Sequence, residues 1–426
     1  MMERDAAWKR VCDALPVAGT LEREGLFAIS AEELKRYGGR EPRLMAKIDT
    51  LAERPAALAE LGAALFPVRN GKYVLFPDPD RKSFFRFEGE PLPPRAFAAK
   101  MDLGRFDTFP RGQEASESQA LDSAFLSGLL VAFCGEPGLC LTLRGRIFSG
   151  DFSFRTPLGA LPIGVSRVQM EVDAGYEGDE GVYLIEAKRG RRDDFHIRQL
   201  WYPYLHWSQR TRKRVVPIFF TYSNGQFELS EFAFGPEFGD AALVRRKAYC
   251  LEEPRAAADF RSLFARVSAG VEPTGAFPQA NDLDKVVDLV GLAAEAPRSK
   301  AEIAEAFGFE ERQGDYYGNA GCYLGLLRRG EEGFALTAEG EAFHRLRSRP
   351  ARTLALLEAM ASIPSLREAL RLLAERQFRA EKIAAGELAA VVREATGLGA
   401  STPERRASTV RAWLGWVMKN VKVANA

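Results

Sequence analysis

No stretch of the chain approaches the ~20 consecutive apolar residues needed to cross a bilayer. The opening MMERDAAWKRV lacks the apolar core of a secretory leader. A cytoplasmic location and no membrane partner are therefore expected. Charge of one sign is missing too: 59 basic residues stand against 58 acidic ones, a net +1. Nonspecific polyanion binders are usually strongly basic, so nucleic-acid contact would have to come from local patches. The clearest are the RGRR run Arg189–Arg192, the RTRKR run Arg210–Arg214, and Arg405-Arg406. Histidine is scarce, and His196, His206 and His344 are too scattered for a His-metal enzyme. The five cysteines are dispersed, odd in number and without CxxC spacing, which points to reduced thiols rather than a zinc site or disulfide frame. No GxxxxGK[ST] loop occurs, so an NTP-driven translocase is unsupported.

What is present is enough chain, 426 residues, for two to four domains with cores of their own. The clearest pattern is VQMEVDAGYEGDEGVYLIEAK, residues 168–188. Val168, Met170 and Val172 alternate with Gln169, Glu171 and Asp173. Further on, Val182, Leu184, Glu186 and Lys188 alternate with Tyr183, Ile185 and Ala187. Gly175, Gly178 and Gly181 punctuate the join, which reads as a hairpin. With Asp179-Glu180 at its tip, Asp173 falls directly across from Glu186. Facing carboxylates weaken a sheet, and a hard divalent cation with oxygen ligands would reconcile them. Lys188 returns to the same face. The following residues, 193–205 (DDFHIRQLWYPYL), read as a helix with Ile197, Leu200, Trp201 and Tyr204 toward the core, His196 and Gln199 on its flank, and Pro203 kinking or shortening its last turn.

An acid, a spacer and Glu-x-Lys on a strand resemble the signature of PD-(D/E)xK nucleases. Asp173 matches the first acid, Glu186 the second and Lys188 the lysine; Val172 stands where the name-giving proline would be. EAK followed by DFHIRQLWYPY resembles restriction-endonuclease-like proteins, in which Gln199 would assist the active site. The resemblance implies a Mg²⁺-dependent, site-specific endodeoxyribonuclease of the type II restriction kind acting on double-stranded DNA, with a second copy as its partner in a homodimer. Asp173, Glu186 and the carbonyl of Ala187 would hold Mg²⁺, and Lys188 and Gln199 would complete the catalytic set. Two other functions fit the same residues: a non-catalytic DNA-binding regulator on a degenerate nuclease scaffold, and a structure-specific repair nuclease.

The expected fold class is multidomain α+β, a restriction-endonuclease-like core flanked by winged-helix or helix-turn-helix units. Residues 1–97 form the first unit. A capping box at Ser30–Glu33 opens a helix, 40–49 begin another, and Asn70-Gly71 marks a hairpin, which is a winged-helix order. Arg40, Arg43 and Lys47, at i, i+3 and i+7, would make a DNA-facing or merely solvated stripe. Residues 98–250 are the candidate nuclease domain, with a helix over 114–134, a strand over 139–148 and a buried strand over 215–222. Its Glu117 and Asp122 are candidates for a third acid, solvent-facing charge being the simpler reading. Residues 251–278 read as a connector. Residues 279–347 read as a winged helix whose helix 311–328 offers Arg312, Gln313, Tyr316 and Asn319 to DNA, with Phe334–Thr337 and Gly340 as wing strand and closing turn. Residues 348–426 read as helix-turn-helix-like, with a GLGAS turn, Thr402 as N-cap, and Arg405, Arg406, Thr409 and Arg411 facing outward.

Overall fold

In the first unit, α1 (Met2–Ala14) and α2 (Val17–Glu24) lead into β1 (Phe27–Ser30). The Ser30–Glu33 capping box then starts α3 (Ala31–Gly38), which Gly39 closes in the left-handed region at φ 65°. Two short helices follow, α4 (Pro42–Ala46) and α5 (Ala56–Glu60). The Asn70-Gly71 turn joins β2 (Ala63–Arg69) to β3 (Lys72–Pro77), and β1 pairs antiparallel on the other side of β3. These coordinates are a computed structural model that describes residues 2–108, 116–156, 162–253, 255–396 and 402–424. The protein is a multidomain mixture of helices and several sheets.

The second unit is built on a seven-stranded sheet. Its elements in chain order are β4 (Phe84–Arg86), β5 (Arg95–Ala96), α6 (Glu117–Leu126), α7 (Leu129–Cys134), β6 (Cys140–Phe148), β7 (Phe152–Arg155), β8 (Pro162–Val165), β9 (Gln169–Glu177), β10 (Gly181–Arg189), β11 (Asp194–His196), α8 (Arg198–Ser208), β12 (Arg214–Ser223), β13 (Gln226–Phe234) and β14 (Ala241–Cys250). The strand order is β5-β14-β13-β12-β10-β9-β6, with β10 and β12 parallel across α8. Tyr183, Ile185 and Ala187 of β10 pack against α6 and α7 on one face. Val182 and Leu184 lie on the other with Val172. The strands β4 and β5, expected in the first unit, pair instead with β11 and β14.

Four sequence expectations change here. The helix over 114–134 is interrupted at Gly128, which sits at φ 81° between α6 and α7; residues 114 and 115 lie outside the described residues. The helix expected from 193 begins at Arg198, because Asp194–His196 pair with Arg86–Phe84 as strand. His196, placed on a helix flank by its spacing, is fully buried between the rings of Phe66 and Phe84. Pro203 does not shorten α8, which runs on to Ser208.

The third unit runs through β15 (Ala256–Ala258), α9 (Phe260–Arg266), α10 (Leu283–Glu295), α11 (Lys300–Phe307), α12 (Glu311–Tyr323), β16 (Leu327–Gly330), β17 (Gly333–Leu336), α13 (Ala338–His344), α14 (Arg349–Ser362), α15 (Pro364–Glu375), α16 (Ala385–Thr396), α17 (Thr402–Asn420) and β18 (Val421–Val423). One apolar cluster extends from Ala258 to Val421, so the expected connector and the two expected C-terminal units share a core. The strand β15 pairs in parallel with β18, tying residues 256–258 to 421–423. Gly340 lies within α13 rather than in a turn. The GLGAS turn falls outside the described residues. Among the described residues no helix is long and apolar enough to cross a membrane.

Neighbouring units are not loosely strung. Ala64, Phe66, Val74 and Phe76 of the first unit share one apolar cluster with Phe154, Trp201 and Tyr202 of the second. The turn at Ser223 and Asn224, between β12 and β13, docks on Asp284, Asp288, Arg349 and Arg352 of the third.

Candidate active site

The hairpin tip is at Asp179-Glu180, and the β9–β10 ladder keeps the expected register as far as Ala174 opposite Ile185. One step further the strands part. The Ala187 N–H, which a continuing ladder would pair with backbone, donates instead to Asp173 Oδ2 at 2.8 Å. The β6–β9 ladder slips over the same stretch, between Leu143–Gly175 and Gly145–Val172. Val172 accordingly joins Leu184 on the face that simple alternation gives to Asp173. A bulge re-aims side chains in this way. Here it swings a carboxylate over the end of β10.

Glu186, only 7% exposed, projects beside it. Its Oε1 accepts hydrogen bonds from Lys188 Nζ and, at 2.6 Å, from Gln199 Nε2 on α8. Among the described residues Gln199 Oε1 is buried without a partner. Burial raises the Glu186 carboxyl above its ordinary range; Lys188 opposes that shift and Asp173 adds to it. Burial likewise raises Asp173, with Lys188 opposing. Burial works to lower the Lys188 ammonium, but Glu186, Glu117 and Asp173 outweigh it and hold the lysine charged. All four predicted residues, Asp173, Glu186, Lys188 and Gln199, open onto one cavity of about 990 Å³.

Of the two candidate third acids, Glu117 reaches the site. It lines the cavity, and its Oε1 accepts the Arg189 N–H at 3.0 Å. Asp122 pairs with Arg144 at 2.8 Å instead. Among the described residues, no group of three His, Cys, Asp or Glu side chains is arranged to hold a metal ion. The oxygen atoms at the site are the carboxylates of Asp173, Glu186 and Glu117 and backbone carbonyls such as that of Ala187, whose methyl is buried on the opposite face of the sheet.

The basic residues chosen from sequence are scattered by the fold. Arg43 and Lys47 line the cavity, but α4 is only five residues long and no helical stripe exists: Arg40 precedes it and pairs with Glu3 at 2.9 Å, and Lys47 ends it in extended geometry. Arg312 and Gln313 are exposed on α12, with Arg312 over the Tyr316 ring, and Asn319 is bonded to Asp315. Arg405 is exposed and Arg406 half-buried on α17. Thr409 does not face outward. It is 2% exposed, its hydroxyl donating to Asn281 Oδ1 at 2.9 Å, because the loop before α10 covers that side of α17. Arg411 also turns inward, to the carbonyls of Ala380 and Ile383. The RGRR run is no open patch: Arg189 pairs with Glu295 at 2.8 Å, Arg191 with Asp282 at 3.0 Å, and Arg192 Nη2 donates to the Ala306 carbonyl at 2.7 Å. Those acids lie some ninety or more residues along the chain, beyond any local spacing signal.

Three family models match the chain in succession, each described as a domain of unknown function: DUF6996 over residues 5–75, DUF6997 over 82–250 and DUF7226 over 285–422. The middle segment contains Asp173, Glu186, Lys188 and Gln199. No curated protein and no solved structure matches.

Proposed function

We propose that the protein is a metal-dependent endodeoxyribonuclease, a site-specific enzyme of the PD-(D/E)xK restriction type that hydrolyses DNA phosphodiester bonds. The observation that carries this reading is the convergence of Asp173, Glu186 and Lys188 at the parting of β9 and β10, opening onto one cavity. The succession α6, β6, β9, β10, α8, β12, with β12 parallel to β10, supports it as the order of a restriction-endonuclease-like core. The strand–helices–hairpin order of residues 27–77 and the three-helix–hairpin order of residues 283–336 support winged-helix units at its flanks.

The donor set fits Mg²⁺. It is all oxygen, and this ion characteristically keeps several waters and takes only one or two carboxylates. Two raised, mutually repelling carboxyls beside the unpartnered Gln199 Oε1 are what a bound cation and its waters would relieve. Asp173, Glu186 and the Ala187 carbonyl would hold it. Bound there, Mg²⁺ would supply Lewis-acid polarisation and a more acidic water. The chain's own part is positional and electrostatic. Asp173 is fixed by the Ala187 N–H, Gln199 orients Glu186, and Lys188, held charged, faces the negative charge that grows on a phosphate oxygen during attack. Purified protein, supercoiled plasmid and Mg²⁺ test the reading. Nicked or linear products are expected, and Lys188→Met, with an unchanged melting curve, should abolish them. Cutting by that variant at the wild-type rate would refute the assignment.

One observation favours a structure-specific nuclease as the second reading. The first unit, anchored through its aromatic cluster, contributes Arg43, Lys47 and Tyr73 to the cavity wall, and about 990 Å³ is the scale of a small-ligand site. Forked and single-stranded oligonucleotides cut faster than plain duplex would favour it.

A further inference from the structure

Two of the three arginines in the RGRR run are neutralised by acids of the third unit, Arg189 by Glu295 and Arg191 by Asp282. Arg192 is left over. It is 8% exposed and lines the cavity. Among the described residues its guanidinium makes one hydrogen bond, to the Ala306 carbonyl, and Nη1 is buried with no partner. A guanidinium stays charged at any ordinary pH, and buried charges are normally paired. Burial pulls Arg192 down, and the acids that act against that, Glu117 first and then Glu53, do so without forming an ion pair with it. Glu117 is the same acid that faces Lys188 and Asp173, which places Arg192 in the electrostatic neighbourhood of the catalytic set.

Its position is set by the third unit. Ala306 lies in the last turn of α11, and Gly308 closes that helix at φ 68°; a Cβ there would crowd Thr50 Cγ2 at 2.7 Å and touch Arg192 Nε at 3.4 Å. Gly190, at φ 77°, turns the chain beneath Phe307. Asp193 then meets Lys285 at 3.4 Å. The segment following Lys188 is thus pinned on both sides of a cation that has no anion.

We propose that Arg192 is the phosphate-binding cation of this cavity: its guanidinium takes the non-bridging oxygens of a nucleic-acid phosphodiester, and the Ala306 carbonyl holds it in place. The planar fork of arginine suits two oxygens of one phosphate, which a lysine at the same place would meet only as a point charge. The assignment rests on reading the cavity as a phosphodiester site, but its test needs no cleavage.

The full-length protein is titrated, in EDTA, against a fluorescein-labelled oligonucleotide, with inorganic phosphate as a separate competitor. Arg192→Met should weaken oligonucleotide binding about tenfold or more and lower the salt dependence by about one phosphate contact. Its melting temperature should match or exceed the wild-type value, since an unpaired buried charge is removed. Arg192→Lys, which keeps the charge, should bind with intermediate affinity; it carries the test if the methionine variant does not fold. Unchanged affinity and salt slope in either folded variant would overturn the proposal. So would inorganic phosphate that binds through Arg192 while the oligonucleotide does not, because the ligand would then be free phosphate. Mg²⁺-dependent cutting is measured alongside. Arg192-dependent binding without cutting leaves this assignment standing and removes the nuclease; cutting with Arg192-independent binding does the reverse.

Discussion

Glu186→Gln should make the protein more stable and inactive at once. The glutamine keeps an oxygen to accept from Lys188 and Gln199, so the local hydrogen bonds survive. It removes a carboxylate that is 7% exposed and raised by burial and by Asp173. Replacing a whole buried ion pair by neutral groups is commonly neutral or stabilising, by about 1–4 kcal/mol, whereas removing one member destabilises only where it strands the other charge. Here the gain should fall in the lower half of that range, because Lys188 loses a partner but keeps Asp173 and Glu117 nearby. The sign with pH follows from the direction of the shift. A carboxyl raised in the folded state costs stability where it is ionised, and that cost fades as pH falls through its folded value toward its unfolded one. The variant's advantage should therefore be largest at neutral to alkaline pH and vanish in acid. Urea denaturation in EDTA at several pH values measures it, and a parallel series with Mg²⁺ should stabilise the wild type but not the variant. A variant less stable than wild type at pH 7.5, or one that still cuts plasmid, would refute the reasoning.

Glu117→Gln keeps an acceptor for the Arg189 N–H but loses the charge beside Asp173 and Lys188, and initial cleavage rates should fall about 10–100-fold, as for other groups that orient a metal site; a wild-type rate would remove Glu117 from the site. Arg349, 1% exposed, donates to the Asn224 carbonyl and to Asn420 Oδ1, both at 2.8 Å, and pairs with Asp284 at 3.3 Å. Arg349→Met should cost about 3–5 kcal/mol in urea denaturation. Burial pushes the Asp284 carboxyl up, and Arg349 together with the Asn224 and Trp416 side chains more than offsets it, so the loss should shrink as acid protonates the stranded Asp284; a loss below about 1 kcal/mol would contradict the buried pairing. Burial, then Arg210, lowers His206 to about 4, and its Nδ1 accepts the Gly150 N–H at 2.8 Å. Its contribution is fully present above its unfolded value near 6.5 and is lost as pH falls toward 4, so His206→Asn should flatten the acid limb of the melting-temperature profile, and an unaltered limb would contradict it.

Local chemistry was readable wherever it acts over a few residues. Ser30 starts a helix, Asn70-Gly71 turns a hairpin, and the spacing of β9 and β10 is enough to bring Asp173 to the end of the strand that carries Glu186 and Lys188. The errors have distant causes. Residues 194–196 look helical until Phe84–Arg86 supply a strand partner more than a hundred positions earlier. Thr409 looks exposed until Asn281 covers it, and RGRR looks like an open basic patch until Asp282, Glu295 and Ala306 arrive from the third unit. Glu117 could be raised as a candidate but not chosen over Asp122, because the choice depends on which side of α6 meets the Arg189 backbone.

The parallel pairing of β15 with β18 has a practical corollary. A fragment begun at α10 would strand Val421–Val423 as a bare edge and uncover the apolar surface against which Ala258, Phe260 and Leu263 rest. Begun ahead of Ala256, the same region keeps its two extremities sewn side by side. That closure brings the region's two ends together, which is the geometry circular permutation needs, while excision would also uncover Asp288, Arg349 and Arg352 where the Ser223–Asn224 turn docks.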